Sequence, residues 1–246
     1  MKHFTIRQLA AATNGTYYGE PDALDREIAF VTSDSREVGA GALFVAFPGA
    51  RVDGHDFMAP SLRHGAACCL SEREPKANET PCVRVESTLG AIGALAGWYR
   101  GRFSIPIVGV TGSVGKTTTR QFIYGVLSQE MKTHRTEGNF NNELGLPLSV
   151  MKLDGSFRAS VLEMGMSAKG EISYLTGIVR PDIAVITNIG TAHIEFLGSR
   201  EAIRDAKLEI AEGLKPGGKL ILNGDEPRLS GIPGAAYCAL KNPEAE

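Results

Sequence analysis

The sequence predicts an α/β protein: a small N-terminal α/β domain, then a P-loop-type, mainly parallel sheet with helices on both faces. Three observations carry this reading. Ile105 to Val110 is a continuous apolar run of the kind found in strands buried on both faces. That run opens into the glycine-rich segment Thr111 to Thr118 and then into a helical pattern. Further apolar runs at Ala159 to Leu162, Ile183 to Thr187 and Leu220 to Leu222 alternate with helical stretches, which is the pattern of a parallel sheet.

Taken in order, Thr5 can cap a short helix that ends before Asn14-Gly15. Ile28 to Thr32 and Ala42 to Phe47 read as strands, the second closed by Pro48-Gly49. Phe57 to His64 reads as a helix, Ala66 to Leu70 and Cys82 to Val85 as strands, and Ser71 to Pro81 as the polar loop between them. Thr88 to Tyr99 places Leu89, Ile92, Leu95, Ala96 and Tyr99 at helical spacing. A boundary is expected at Arg100-Gly101-Arg102, dividing residues 1–100 from 101–246. Beyond it, Thr118 to Ser128 and Glu201 to Leu214 read as helices, and the tail from Gly231 has only a weak pattern.

The 246 residues suffice for one large domain or two ordinary ones. A net charge of -2 argues against a general nucleic-acid binder. Cys68, Cys69, Cys82 and Cys238 contain no C-x-x-C pair, so free thiols are expected rather than structural zinc or disulfides. The first fifteen residues are too polar for a signal peptide, and no apolar run approaches the ~18 residues of a membrane span. A monomeric, cytoplasmic protein with no nucleic-acid partner is expected.

Thr111, Gly112, Ser113, Val114, Gly115, Lys116, Thr117 and Thr118 form the expected phosphate loop. Glycines let backbone N–H groups approach phosphate oxygens, and the following helix start adds a positive dipole. Lys116 should reach the terminal phosphates of ATP or a close relative, and the Thr117 hydroxyl should ligate Mg²⁺. The strict Walker spacing fails, because Val110 stands where its first glycine belongs.

Ligands of parallel sheets bind beyond the carboxyl ends of the strands. Glu163 follows one apolar run and His193 another, so both are candidate Mg²⁺ partners. Each also has a plain reading, as an exposed strand-end acid and a loop histidine, while Asn223 reads as a turn former. Lys207 falls on the apolar stripe of Ile203, Ile210 and Leu214. On spacing alone it either snorkels, the commoner outcome, or is partly desolvated and so modifiable.

Together these segments resemble the Mur ligases, ATP-dependent amide-forming enzymes of peptidoglycan assembly. TGSVGKTT is similar to the family's variant phosphate loop, and EMGMSAKGEI, TNIGTAHIEFLGS and DAKLEI follow in the family's order. TSDSR and LFVAFPGARVDGHDF resemble the domain that holds a UDP-sugar substrate, and GNFNNELGLPLSV looks most like the branch that adds D-alanyl-D-alanine. The resemblance implies that Lys116 and Thr117 hold phosphates and Mg²⁺, and that Glu163 and His193 are metal ligands. It implies that Lys207 is the lysine carbamylated in this family to help hold a second Mg²⁺, which reverses the reading from spacing. Lys116, Lys207 and His193 are thus the implied catalytic residues. Asn139 and Asn142 match asparagines near the active site, and Ser33, Asp34, Ser35, Arg36 and His55 match the UDP-substrate region.

The implied substrates are UDP-N-acetylmuramoyl-tripeptide and D-alanyl-D-alanine. ATP would phosphorylate the tripeptide carboxylate, and the dipeptide amine would attack the resulting acyl phosphate. Family members have three domains, so the sequence reads as a fragment whose C-terminal domain is absent and whose central domain is incomplete. Two alternatives are a sister ligase adding a single amino acid and a non-catalytic nucleotide-binding module. NFNNELG weighs against the first, and the presence together of Glu163, His193 and Lys207 against the second.

Overall fold

A computed structural model describes residues 1–241. They form two compact units, Met1–Arg102 with Val150–Gly155, and Phe103–Ser149 with the chain from Ser156 onward.

The first unit contains β1 (Phe4–Thr5), α1 (Ile6–Thr13), β2 (Thr16–Tyr18), β3 (Glu27–Ile28), β4 (Phe30–Thr32), β5 (Ala42–Val45), α2 (Met58–Arg63), β6 (Cys68–Ser71), β7 (Cys82–Arg84) and α3 (Thr88–Arg100). Helix α1 starts where the sequence puts its cap. Thr5 Oγ1 accepts from Gln8 N at 3.2 Å, and Gln8 Oε1 accepts from Thr5 N at 3.0 Å. It stops at Asn14, whose φ of 50° is left-handed. Five strands lie in the order β2-β7-β6-β5-β4, with β2 antiparallel to β7 and the remaining pairs parallel.

The single strand expected over Ile28 to Thr32 is two. Ile28 pairs with Phe4, whereas Phe30–Thr32 pairs with β5, and Ala29 N donates to Gly41 O at 2.8 Å where the chain changes partner. Apolar patterning does not record which neighbour a strand pairs with. Tyr99 closes the core of this unit. Its ring is fully buried, and its Oη donates to Leu153 O at 2.6 Å and accepts from Lys2 N at 2.7 Å. Leu153 thereby joins the first unit although it lies well beyond Arg102.

The second unit contains β8 (Ile107–Thr111), α4 (Lys116–Leu127), β9 (Thr133–Arg135), all but the last two residues of α5 (Gly145–Met151), β10 (Ala159–Glu163), α6 (Glu171–Val179), β11 (Ile183–Ile186), α7 (Ile194–Leu197), α8 (Arg200–Leu208), β12 (Lys219–Asn223) and β13 (Ala235–Cys238). The sheet order is β13-β12-β11-β8-β10-β9, and every pair is parallel. Helices flank it, as the alternating pattern predicts. The chain leaves β8, crosses to the edge at β9, returns through β10, and then passes to the other side of β8. The carboxyl end of β8 is therefore the switch point of this sheet, where open α/β folds bind ligands.

Three details differ from the sequence reading. Helix α4 begins at Lys116 rather than Thr118, because Gly115 already turns the chain with φ of 80°. The helix expected through Leu214 is α-helical only to Leu208 and continues as a 3₁₀ turn over Glu209–Gly213. There the Glu209 carboxylate caps α6, accepting from Gly170 N and Ser173 N. The weakly patterned tail holds β13, which extends the sheet beside β12. Among the described residues no helix is long and apolar enough to cross a membrane.

Tyr99→Phe is expected to destabilise the protein by about 1–3 kcal/mol, because it strands the Leu153 carbonyl and the Lys2 N–H. Urea unfolding measures this, and an unchanged midpoint would show that these groups find other partners.

Candidate active site

The expected phosphate loop, Thr111 to Thr118, is shaped by two glycines. Gly112 has φ of 150° and lies so close to Thr187 that a Cβ would come within 1.9 Å of its Oγ1. Gly115 has φ of 80° and leads directly into α4. Both positions exclude ordinary side chains. The segment after β11 grips the loop from outside. Asn188 O accepts from Ser113 N at 3.1 Å and Asn188 Oδ1 from Val114 N at 2.9 Å, while Thr187 Oγ1 donates to Val114 O at 2.6 Å. Thr111 is buried and donates from Oγ1 to Met164 O, and Lys116 Nζ donates to Gly112 O at 2.9 Å. Thr118 is exposed on the first turn of α4.

Glu163 is the last residue of β10, paired with Val110, rather than a residue beyond the strand. Its side chain is buried at 2% exposure. Oε2 accepts from Thr117 Oγ1 at 2.9 Å and pairs with Arg120 at 3.2 Å; Oε1 accepts from Asn141 Nδ2 at 2.8 Å. The Glu163 N–H donates to Thr136 Oγ1, which fixes the strand end. Thr117 and Glu163 are therefore brought together as an oxygen pair. Hydroxyl and carboxylate oxygens suit Mg²⁺, which typically takes few protein ligands and completes its shell with phosphates and water. Among the described residues no three His, Cys, Asp or Glu side chains gather into a metal cluster.

A cavity of about 250 Å³ opens beside this pair. Gly112, Ser113, Lys116, Asn142, His193 and Lys207 all line it. His193 stands in the left-handed region with φ of 63°, immediately before α7, and its ring lies half-buried beside Phe196. Lys207 is 3% exposed. Burial first, and the neighbouring Lys116 charge second, lower its amine to about 7. Partial desolvation, not snorkelling, is what the structure gives Lys207.

Asn139 is exposed and does not line the cavity, whereas its neighbour Asn141 does. Asn141 and Arg120, which join Thr117 on the Glu163 carboxylate, are not singled out by the sequence. Arg120 follows Thr117 by three positions, so helical spacing could have placed it on the same face. Nothing in the sequence separates Asn141 from the asparagines beside it.

In the first unit, Ser33, Asp34 and Ser35 line a separate concavity of about 410 Å³ with Phe44, Phe47 and Phe57. Arg36 lies outside it and clasps Asp34 through its guanidinium and backbone N–H, lowering the Asp34 carboxyl to about 2. His55 is buried at 4% exposure and turned inward. Its Nε2 accepts from Glu72 N, so the proton sits on Nδ1 and is donated to Asp53 Oδ1 at 2.6 Å. Both ring nitrogens serve the fold, and His55 does not line the concavity.

The family model described as "Mur ligase middle domain" matches residues 110–239, and that described as "Mur ligase family, catalytic domain" matches residues 27–98. A similar curated protein is the UDP-N-acetylmuramoyl-tripeptide--D-alanyl-D-alanine ligase of Bacillus subtilis, 44% identical over 92% of this chain and 50% of its own length. A crystal structure of MurF from Acinetobacter baumannii superposes with a TM-score of 0.88 at 34% identity, over 98% of this chain and 53% of that one. MurF from Thermotoga maritima, solved in complex with ADP, gives 0.82 at 37% identity, over 87% and 51%. The chain thus spans about half the length of the curated relatives it matches.

The buried amine has a calculable effect on stability. A lysine whose folded pKa lies near 7 binds fewer protons than in the unfolded chain, where it titrates near 10.5. Stability therefore rises with pH between those values, with a slope of at most ~1.4 kcal/mol per pH unit. Lys207→Met is expected to abolish that slope and to stabilise the protein at pH 7 by on the order of 1–3 kcal/mol. Urea unfolding from pH 7 to 9.5 measures it; a less stable Lys207→Met protein at pH 7 would contradict the burial cost.

Proposed function

Since this chain belongs to the Mur ligase family, we propose that it carries the UDP-substrate-binding and ATP-binding parts of a ligase that joins D-alanyl-D-alanine to UDP-N-acetylmuramoyl-tripeptide. One observation carries the reading. The glycine loop, Lys116, His193 and Lys207 open onto a single cavity at the sheet's switch point, with the Thr117–Glu163 oxygen pair beside it. The sequence likeness to the Bacillus subtilis enzyme supports the choice of substrates.

The chemistry follows from charge. A carboxylate must approach the γ-phosphate of ATP, and two anions repel. Lys116 offsets that repulsion and the charge that develops on the transferring phosphoryl group. Loop N–H groups and the start of α4 orient the phosphates. Mg²⁺ would be held by Thr117 and Glu163, with His193 as a further partner, and would supply electrostatic neutralisation of the phosphates. Lys207 would hold a second ion once carbamylated. An amine near 7 is substantially neutral at physiological pH. It can therefore attack CO₂, forming an N–C bond, and release a proton to give the carbamate. Transfer of the γ-phosphoryl group yields an acyl phosphate. The dipeptide amine then attacks its carbonyl carbon and phosphate leaves. Asn142 lines the same cavity and would contact the reacting groups.

In the first unit, the concavity of Ser33, Asp34 and Ser35 is the proposed place for the UDP part of the substrate. Its aromatic walls suit a nucleobase face, and its hydroxyls and backbone suit hydrogen bonding.

Lys116→Ala is expected to weaken ATP binding to this chain by at least ~100-fold, the size of effect seen when one such charge partner is lost. Unchanged affinity in a calorimetric titration would refute the loop's assignment. In a three-domain protein that contains this chain, phosphate release with UDP-N-acetylmuramoyl-tripeptide should require D-alanyl-D-alanine. Turnover with a single amino acid but none with the dipeptide would reassign the substrate.

A further inference from the structure

Arg120 is among the most enclosed charges of the described residues, at 3% exposure, and no step of the proposed reaction uses it. It leaves α4 three residues after Thr117, so both side chains emerge from one helix face. Both end on the same atom. Glu163 Oε2 accepts from Thr117 Oγ1 at 2.9 Å and lies 3.2 Å from an Arg120 terminal nitrogen. That nitrogen also donates to Gly138 O at 3.3 Å, while Arg120 Nε is buried with no hydrogen-bond partner among the described residues. Among the described residues Arg120 is the sole salt-bridge partner of the Glu163 carboxylate.

A buried ion pair stabilises well only when its remaining donors are satisfied. Here one buried donor, Nε, is left without a protein partner among the described residues. What the pair secures is a fixed positive charge against one oxygen. A guanidinium suits that position because it keeps its proton at any working pH and is weakly hydrated.

We propose that Arg120 is a resident counter-ion of Glu163, which balances the buried carboxylate and competes with a divalent cation for its Oε2 oxygen, thereby weakening cation binding when no nucleotide is present. This rests on the reading of Glu163 as a metal ligand. The physical basis is simple. Two cations at one oxygen repel, and nucleotide phosphates bring the negative charge that lets both remain. Cation and nucleotide binding are then coupled, each favouring the other. Arg120 is on this account a positioning residue that acts through Glu163.

Mn²⁺ serves as the probe, its free concentration read by electron paramagnetic resonance with the nucleotide-free 246-residue chain. Arg120→Met is expected to bind Mn²⁺ about tenfold more tightly than the unaltered chain, a change of ~1.4 kcal/mol. It is also expected to melt at lower temperature without the ion and to recover more of its Tm when Mn²⁺ is added. Arg120→Lys keeps the charge and should stay within about twofold of the original affinity. Should Arg120→Met fail to fold, Arg120→Gln carries the same expectation. Neutral variants that bind Mn²⁺ no more tightly, and whose lost stability Mn²⁺ does not restore, would overturn the proposal and leave Arg120 a structural ion pair. Glu163→Gln should remove the Mn²⁺ site. If it leaves the affinity of the unaltered chain unchanged, the reading of Glu163 as a ligand fails, and this inference with it.

Discussion

The second unit is organised around one buried carboxylate. Glu163 ends a central strand at a depth where an unanswered charge would cost several kcal/mol. Its partners come from two places: Thr117 and Arg120 on α4, and the segment after β9, where Asn141 meets the carboxylate and Thr136 its backbone N–H. Satisfying the charge therefore fixes how α4 enters from the phosphate loop and where the asparagine loop lies. The arrangement that keeps the protein folded is the same one that sets the geometry of the site.

A second constraint is steric. Between β8 and α4 the chain must turn within reach of the β11 loop, and the Gly112–Thr187 approach leaves no room for a Cβ. Asn188 then holds the loop through two backbone amides. These contacts hold the loop in shape through protein groups alone, which would lower the ordering cost of binding a phosphate there. The glycine missing from Walker spacing matters little on this view. Position 110 is a fully buried strand residue paired with Glu163, so valine is the better choice there.

The site also holds two lysines, and the charge of Lys116 adds to the cost that burial places on the Lys207 ammonium. Burial is the larger of the two causes. Local unfavourable features of this kind are common where chemistry is done. An anionic ligand in the cavity would relieve the repulsion between the two lysines, so binding and stability are linked at this point.

Much of this was legible in the sequence. Burial on both faces forces apolar runs at β8, β10, β11 and β12, and steric limits force glycine at 112 and 115, so fold class and loop could be read from residue types alone. Lys207's place on the apolar face followed from helical period. Other features depend on partners distant in the chain. Only the assembled sheet showed that Ile28 and Phe30 pair with different strands, and that the tail supplies β13. Only packing turned His55 inward to Asp53 and Glu72, chose Asn141 over its neighbours to meet Glu163, and placed Arg120 on the same oxygen as Thr117. Sequence determines what each residue prefers, because conformational propensity and hydrophobicity are local properties. Tertiary structure decides which charges and hydrogen-bonding groups face one another, because burial leaves them no water to choose instead.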